Sequence, residues 1–231
     1  MKTSKLIFII LVGTIALLIL ATTLDLRING RKFSDINSDF KVKKQSIKLL
    51  KTLYITNSMN VTLVNNDSAF LEITYLKDSV MPKVNFSLKE DTLKIFDFEK
   101  LSHSNASIRI HATNSLKRIQ LKGSSLTLES FSTEELSLTS DQSNVLMIES
   151  EPHKSRIHFL KILANNHSNV YGREFYVDTM GISLQHSEAS LEGIVNKLGG
   201  TLTDSSRIQA RQPQEIWLKK DLTSKINISD Y

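Results

Sequence analysis

Cysteine is absent from all 231 residues. Disulfides, thiolate metal sites and cysteine nucleophiles are therefore excluded. Charge of one sign never gathers: 29 lysines and arginines face 24 acids, interleaved along the chain, for a net +5. Nucleic-acid binding shows a concentrated basic face, so no nucleic-acid partner is expected. No GxGxxG, phosphate-binding loop, HExxH or GxSxG occurs, and with them go the nucleotide, zincin and hydrolase signatures. Neither a cofactor nor a metal is expected. Beyond residue 46 no convincing helical period appears, which leaves strands to build the fold.

One long apolar run is present. Leu6 to Leu24 carries no charge, and as a helix it would extend about 28 Å, close to a bilayer core. Residues 1–26 are expected to be an N-terminal transmembrane anchor; the alternative is a signal peptide with Lys2 and Lys5 as its basic start. The bases after the run, Arg27, Arg31, Lys32 and Lys41 among them, would by the positive-inside rule hold the domain in the cytoplasm. The basic start followed by a long apolar run favours export. A single-pass membrane protein with an extracytoplasmic domain, in the periplasm or at the cell surface, is the expectation. Residues 27–46 are polar and weakly periodic and read as a linker.

Residues 47–231 alternate with period two. "NVTLV" (60–64), "FLEITYL" (70–76), "KVNFSL" (83–88), "TLKIFDF" (92–98) and "SIRIHA" (107–112) each put apolar residues on one side, the mark of a strand with one buried and one wet face. From Leu121 a phrase repeats: "LKGSSL", "LTSDQSNV", "LANNHSNV", "LQHSEASL", "LTDSSRI". The leading leucines recur at solenoid spacing. An all-β, right-handed parallel β-helix (β-solenoid) is predicted, preceded by one transmembrane helix. "EPHKSRIHF" (151–159) is predicted to protrude as a loop, because Pro152 cannot donate to a ladder. Trp217, Leu218 and Leu222 are expected to cap the last coil.

The order of pieces, "NVTLVNNDSAFLEI", "VNFSLKEDTLKIF", "LKRIQLKGSSLTL" and then the Ser-x-aliphatic repeats, resembles the head GIN domain family of adhesin heads in bacterial envelope proteins. The resemblance spans roughly residues 47–210. It implies a right-handed β-helix on the cell surface or in the periplasm, with no established catalytic residues. The family favours Gly-Ala-Ser before the aliphatic residue, where this chain has Ser-Asn, Ala-Ser or Ser-Arg.

Aligned on their leading leucines, the phrases predict a polar surface ladder. Asn144, Asn169 and Ser190 form one column, and Gln142, His167 and Glu188 the next. Stacked asparagines can bond amide to amide. Val145, Val170 and Leu191 should point inward. His167 and His186 fall two columns apart, which argues against a shared metal. Asp141, Glu188 and Asp204 are the carboxylates that a sugar-cleaving site would draw on, although each is equally a turn residue. Two functions follow. The first is a membrane-anchored binding, adhesion or envelope-interaction module without catalysis, whose partners are the membrane through Leu6 to Leu24 and an envelope protein or polysaccharide. The alternative is a carbohydrate-active enzyme acting on envelope or extracellular polysaccharide.

Overall fold

The computed structural model describes residues 15, 18–20, 39–47, 49–78, 81, 83–98, 106–149 and 156–229. The chain divides into two compact units, Met1–Phe40 and Lys41–Tyr231. In the first, residues 18–20 are helical. A membrane span needs about 20 apolar residues in one helix, and among the described residues no helix is long and apolar enough to cross a membrane. The single-pass anchor, and the extracytoplasmic placement that rested on it, are therefore not supported. Most of Leu6 to Leu24 lies outside the described residues.

The second unit is all-β. One sheet runs in the order β1 (Phe40–Ser46), β4 (Phe70–Leu76), β7 (Ser107–Ala112), β3 (Val61–Asn65), β9 (Ser125–Glu129), β11 (Asn144–Ile148), β13 (Asn169–Arg173), β15 (Glu188–Leu191), β17 (Arg207–Arg211), β19 (Lys225–Ser229). The other runs β18 (Glu215–Lys220), β16 (Ile194–Thr203), β14 (Tyr176–Gln185), β12 (Arg156–Asn165), β10 (Thr133–Asp141), β8 (Arg118–Lys122), β2 (Thr52–Thr56), β6 (Thr92–Phe96), β5 (Asn85–Lys89). From β8 onward the chain alternates between the sheets and pairs in parallel.

These are two large mixed sheets, and the predicted right-handed parallel β-helix is corrected accordingly. β4 returns antiparallel on β7 and β5 antiparallel on β6. The latter pair is joined by a two-residue turn with Glu90 at φ 55°, the conformation a tight hairpin demands. Among the described residues the sheets end in edge strands, β1 and β19 in one and β18 and β5 in the other. Alternation in the sequence sets which side chains face inward; it does not set the direction of the neighbouring strand. β1 occupies the end of the stretch read as a linker. The predicted loop at 151–159 overlaps β12, which begins at Arg156; residues 150–155 lie outside the described residues.

Inward side chains stack strand upon strand. Leu126, Val145, Val170, Ala189 and Ile208 share one column, and Leu53, Ile119, Leu138, Ile162 and Ile182 share another. All ten are buried, and their removal from water is the main stabilising term.

The corners leading into the ten-stranded sheet carry a second column. A left-handed residue comes first: Asn57 (φ 47°), Gly123 (55°), Gln142 (48°), His167 (65°), His186 (50°) or Ser205 (63°). A buried serine follows: Ser58, Ser124, Ser143, Ser168, Ser187 or Ser206. Each of these serine N–H groups donates to the hydroxyl oxygen of the serine in the neighbouring corner, ending on Ser224, at 3.0 to 3.2 Å. The hydroxyl donates in turn to a nearby carbonyl, as from Ser143 to Asp141 and from Ser168 to Asn165, both at 2.7 Å. Donor and hydroxyl are both satisfied within the protein, so these corners can be buried. Asp221 ends the column. Its carboxylate accepts from the N–H groups of Ser224 (2.8 Å), Thr223 (3.1 Å) and Asp204 (2.8 Å).

Candidate binding face on the nine-stranded sheet

Four neighbouring strands, β12, β14, β16 and β18, build an open outer face. Pairing places Lys161, Gly181, Gly199 and Trp217 in one outward column. Phe159, Thr179, Lys197 and Glu215 flank it on one side. Leu163, Ser183, Thr201 and Lys219 flank it on the other. Two successive glycines leave a gap in the middle of this pattern. The resulting groove encloses about 340 Å³.

The two glycines differ. Trp217 folds over Gly199: a β-carbon there would lie 1.7 Å from the indole Nε1. Above Gly181 nothing lies within 4 Å of a β-carbon. The groove is thus a slot floored by the Gly181 backbone, with the indole at one end and Lys161 at the other. Trp217 is 49% exposed and Phe159 42%, so both present aromatic surface to solvent. The hydroxyls of Ser183 and Thr201 meet at 3.1 Å on the slot's wall. Lys197 is held by Glu215 at 2.8 Å.

A polar cluster adjoins the groove. Arg156 grips Asp178 through Nε (2.9 Å) and an Nη (2.6 Å), and its guanidinium lies 4.9 Å from the Tyr176 ring centre. His158 Nδ1 shares the other side of Asp178 at 2.6 Å, and Asn196 donates to it at 3.2 Å. The Arg156 hydrogen bond, with help from His158, holds the Asp178 carboxyl below the usual carboxylate range, and burial opposes this less strongly. A carboxylate so committed is a poor proton acceptor. Among the described residues no group of three or more His, Asp or Glu could hold a metal.

The residues predicted from the sequence go elsewhere. Asn144 and Asn169 are in register on the ten-stranded sheet, and the Asn169 amide donates to Asn144 Oδ1 at 3.0 Å. Their column continues with Glu188, not Ser190; Ser190 is opposite Tyr171. Gln142 and His167 are corner residues with left-handed backbones, and Glu188 lies 3.8 Å from Arg207. His167 and His186 meet edge to face with ring centres 4.1 Å apart, closer than the leucine alignment implied. Asp141 accepts from Asn166 and Asp204 from Gln185, so the three carboxylates do not converge. Val145, Val170 and Leu191 do point inward. Trp217 is on the open face rather than capping an end, and Leu222 is fully exposed.

Lys161, Gly181, Gly199 and Thr201 were missed. A signal was present: "GISL" (181–184) and "GGTL" (199–202) align without a gap and put a glycine at the same outward position of successive strands.

No family model and no curated protein sequence matches the chain. Solved structures resemble it. A "putative adhesin" from Bacteroides fragilis superposes with a TM-score of 0.55 at 13% identity, covering 83% of this chain and 97% of that one. A "putative lipid binding protein" from Parabacteroides distasonis does so with a TM-score of 0.51 at 12% identity, covering 84% and 98%. This chain shares their fold. At such identities the likeness extends to backbone architecture alone.

Proposed function

We propose that the protein is a non-catalytic binding module of adhesin type, which presents the outer face of β12, β14, β16 and β18 to an envelope protein or polysaccharide. The observation that carries this reading is the slot beside a half-exposed tryptophan on an otherwise regular sheet. Concave sites with a few converging polar groups are where ligands bind, and exposed aromatics are the usual anchors of recognition. The resemblance to head GIN domains and the adhesin-named structure of the same fold support it. A polysaccharide-cleaving enzyme is the weaker reading, because Asp141, Glu188 and Asp204 each serve a separate corner or ion pair.

Trp217 is the sole tryptophan, so intrinsic fluorescence reports this face directly. The full chain, mixed with soluble polysaccharides and with envelope protein fractions, should shift its emission without releasing new reducing ends. Release of reducing ends would overturn the non-catalytic assignment. Retention on a ligand that leaves the emission of Trp217 unchanged, and that survives Trp217→Ala, would place binding on another face.

A further inference from the structure

We infer that the slot over Gly181 takes an acidic sugar unit, a hexuronate within a polysaccharide. This rests on the reading of the outer face as the binding surface and specifies its ligand.

Three observations bear on the chemistry. The first is charge. Lys161 closes one end of the slot and Lys219 lies two residues from Trp217 on β18. Neither has an ion-pair partner among the described residues. The one acid in the slot's own columns, Glu215, is already held by Lys197, and Glu135 on the neighbouring β10 is in register with Phe159. The three outward columns of these four strands thus carry three lysines, Lys161, Lys197 and Lys219, against one acid, Glu215, an excess complementary to a carboxylate. The second is the pairing of an aromatic face with hydroxyls. A sugar ring has one C–H-rich face, which packs on an indole as other apolar groups do, and equatorial hydroxyls, which Ser183 and Thr201 can bond. Their mutual 3.1 Å contact uses one proton of the two, leaving one hydroxyl proton and free lone pairs for a ligand. The third is shape. The slot is open along the sheet, so a polymer can run through it.

The enclosed apolar cavity that the described residues Leu128, Phe131, Met147, Ile157 and Phe175 line holds about 10 Å³, the space of about one water, too little for a lipid chain. Two glycines keep this interior tight on the Phe175 side: a β-carbon at Gly172 or Gly193 would fall 2.1 or 2.3 Å from the Phe175 ring.

The test uses the full chain, titrated with oligogalacturonate, hyaluronan oligosaccharide and fully methyl-esterified oligogalacturonate, with Trp217 emission as the readout. Vesicles of phosphatidylglycerol serve as the lipid arm. An acidic oligosaccharide should bind, and its methyl ester should bind at least about tenfold more weakly, the scale of one charge-assisted hydrogen bond. Lys161→Gln should weaken the acidic ligand by a similar factor and leave the ester unaffected. A β-carbon at Gly181 meets nothing within 4 Å, so Gly181→Val should fold, fill the slot and abolish binding. Equal affinity for acid and ester would overturn the acidic assignment while keeping the binding face. So would vesicles that bind and compete with the sugars. Wild-type affinity in Gly181→Val would overturn the slot. A Trp217 signal silent to every probe would overturn the hexuronate inference, and a protein ligand that then moved it would leave the binding face standing.

Discussion

The backbone N–H of Ser143 donates to the hydroxyl oxygen of Ser168, one corner away, at 3.2 Å, and both residues are buried. Ser168→Ala removes the acceptor of the buried Ser143 N–H. Leaving such a donor unsatisfied costs about 1–3 kcal/mol. Asn144, beside Ser143 in the chain, is exposed, and its amide contact to Asn169 should net about 1 kcal/mol at most. Urea melts should rank Ser168→Ala as the more damaging change. The reverse order would mean that the serine column does not hold the corners together.

Glycines in one groove should respond in opposite ways. Gly181→Ala meets nothing and reduces the freedom of the unfolded chain, so stability should hold or rise by about 0.5 kcal/mol. Gly199→Ala must displace the indole, and the fluorescence and near-ultraviolet circular dichroism of Trp217 should change. Gly200 has φ 145°, and a β-carbon there would lie 1.7 Å from the Ile182 carbonyl oxygen. Gly200→Ala should cost roughly 3 kcal/mol, the upper range of ordinary point changes. A neutral Gly200→Ala variant would show that the backbone there relaxes freely.

Acid should weaken the fold in two stages. Burial favours the neutral imidazole of His111 and lowers its pKa, outweighing the attraction of Glu72. Its Nε2 is buried without a hydrogen-bond partner. The unfolded chain then binds the proton more readily, so this contribution is whole above about pH 6.5 and is lost as pH falls through the lower folded value. Hydrogen bonds from Ser224, joined by those of Asp204 and Thr223, hold the Asp221 carboxyl well below the carboxylate range. That contribution is whole above about pH 3.9 and is lost below it. Melting temperature against pH should show both stages. His111→Phe should remove the first and Asp221→Asn should shrink the second, to which Asp178, held low by Arg156, also contributes; a profile unchanged by either substitution would refute the assignment.

Strand positions were readable where alternation was strict. The segments 70–76 and 107–112 coincide with β4 and β7, because one apolar face suffices to mark a strand. Register was not readable from the leucines. Leu138 and Leu184 face the core while Leu163 faces outward, so the same residue type marks different positions. The buried serines would have been the better anchor, since a serine in a tight corner is held by backbone geometry rather than by apolarity. Polar side chains are usually exposed, and these serines are buried. The face carrying Lys161, Gly181 and Trp217 left only the aligned glycines of "GISL" and "GGTL" as a trace in the sequence, since the pairing of distant strands brings its other residues together.

Repetition of the same corner bonds fixes the outer face to a constant pitch. Outward side chains recur about every 4.8 Å across strands and about every 6.6 Å along them. Lys161, Gly181, Gly199 and Trp217 take successive steps of the first interval, and Trp217 and Lys219 one step of the second. A stiff polymer laid on such a face either keeps stride with it or falls out of phase within a few units. Two glycans made of identical sugars but joined through different linkages would then be told apart by step length alone.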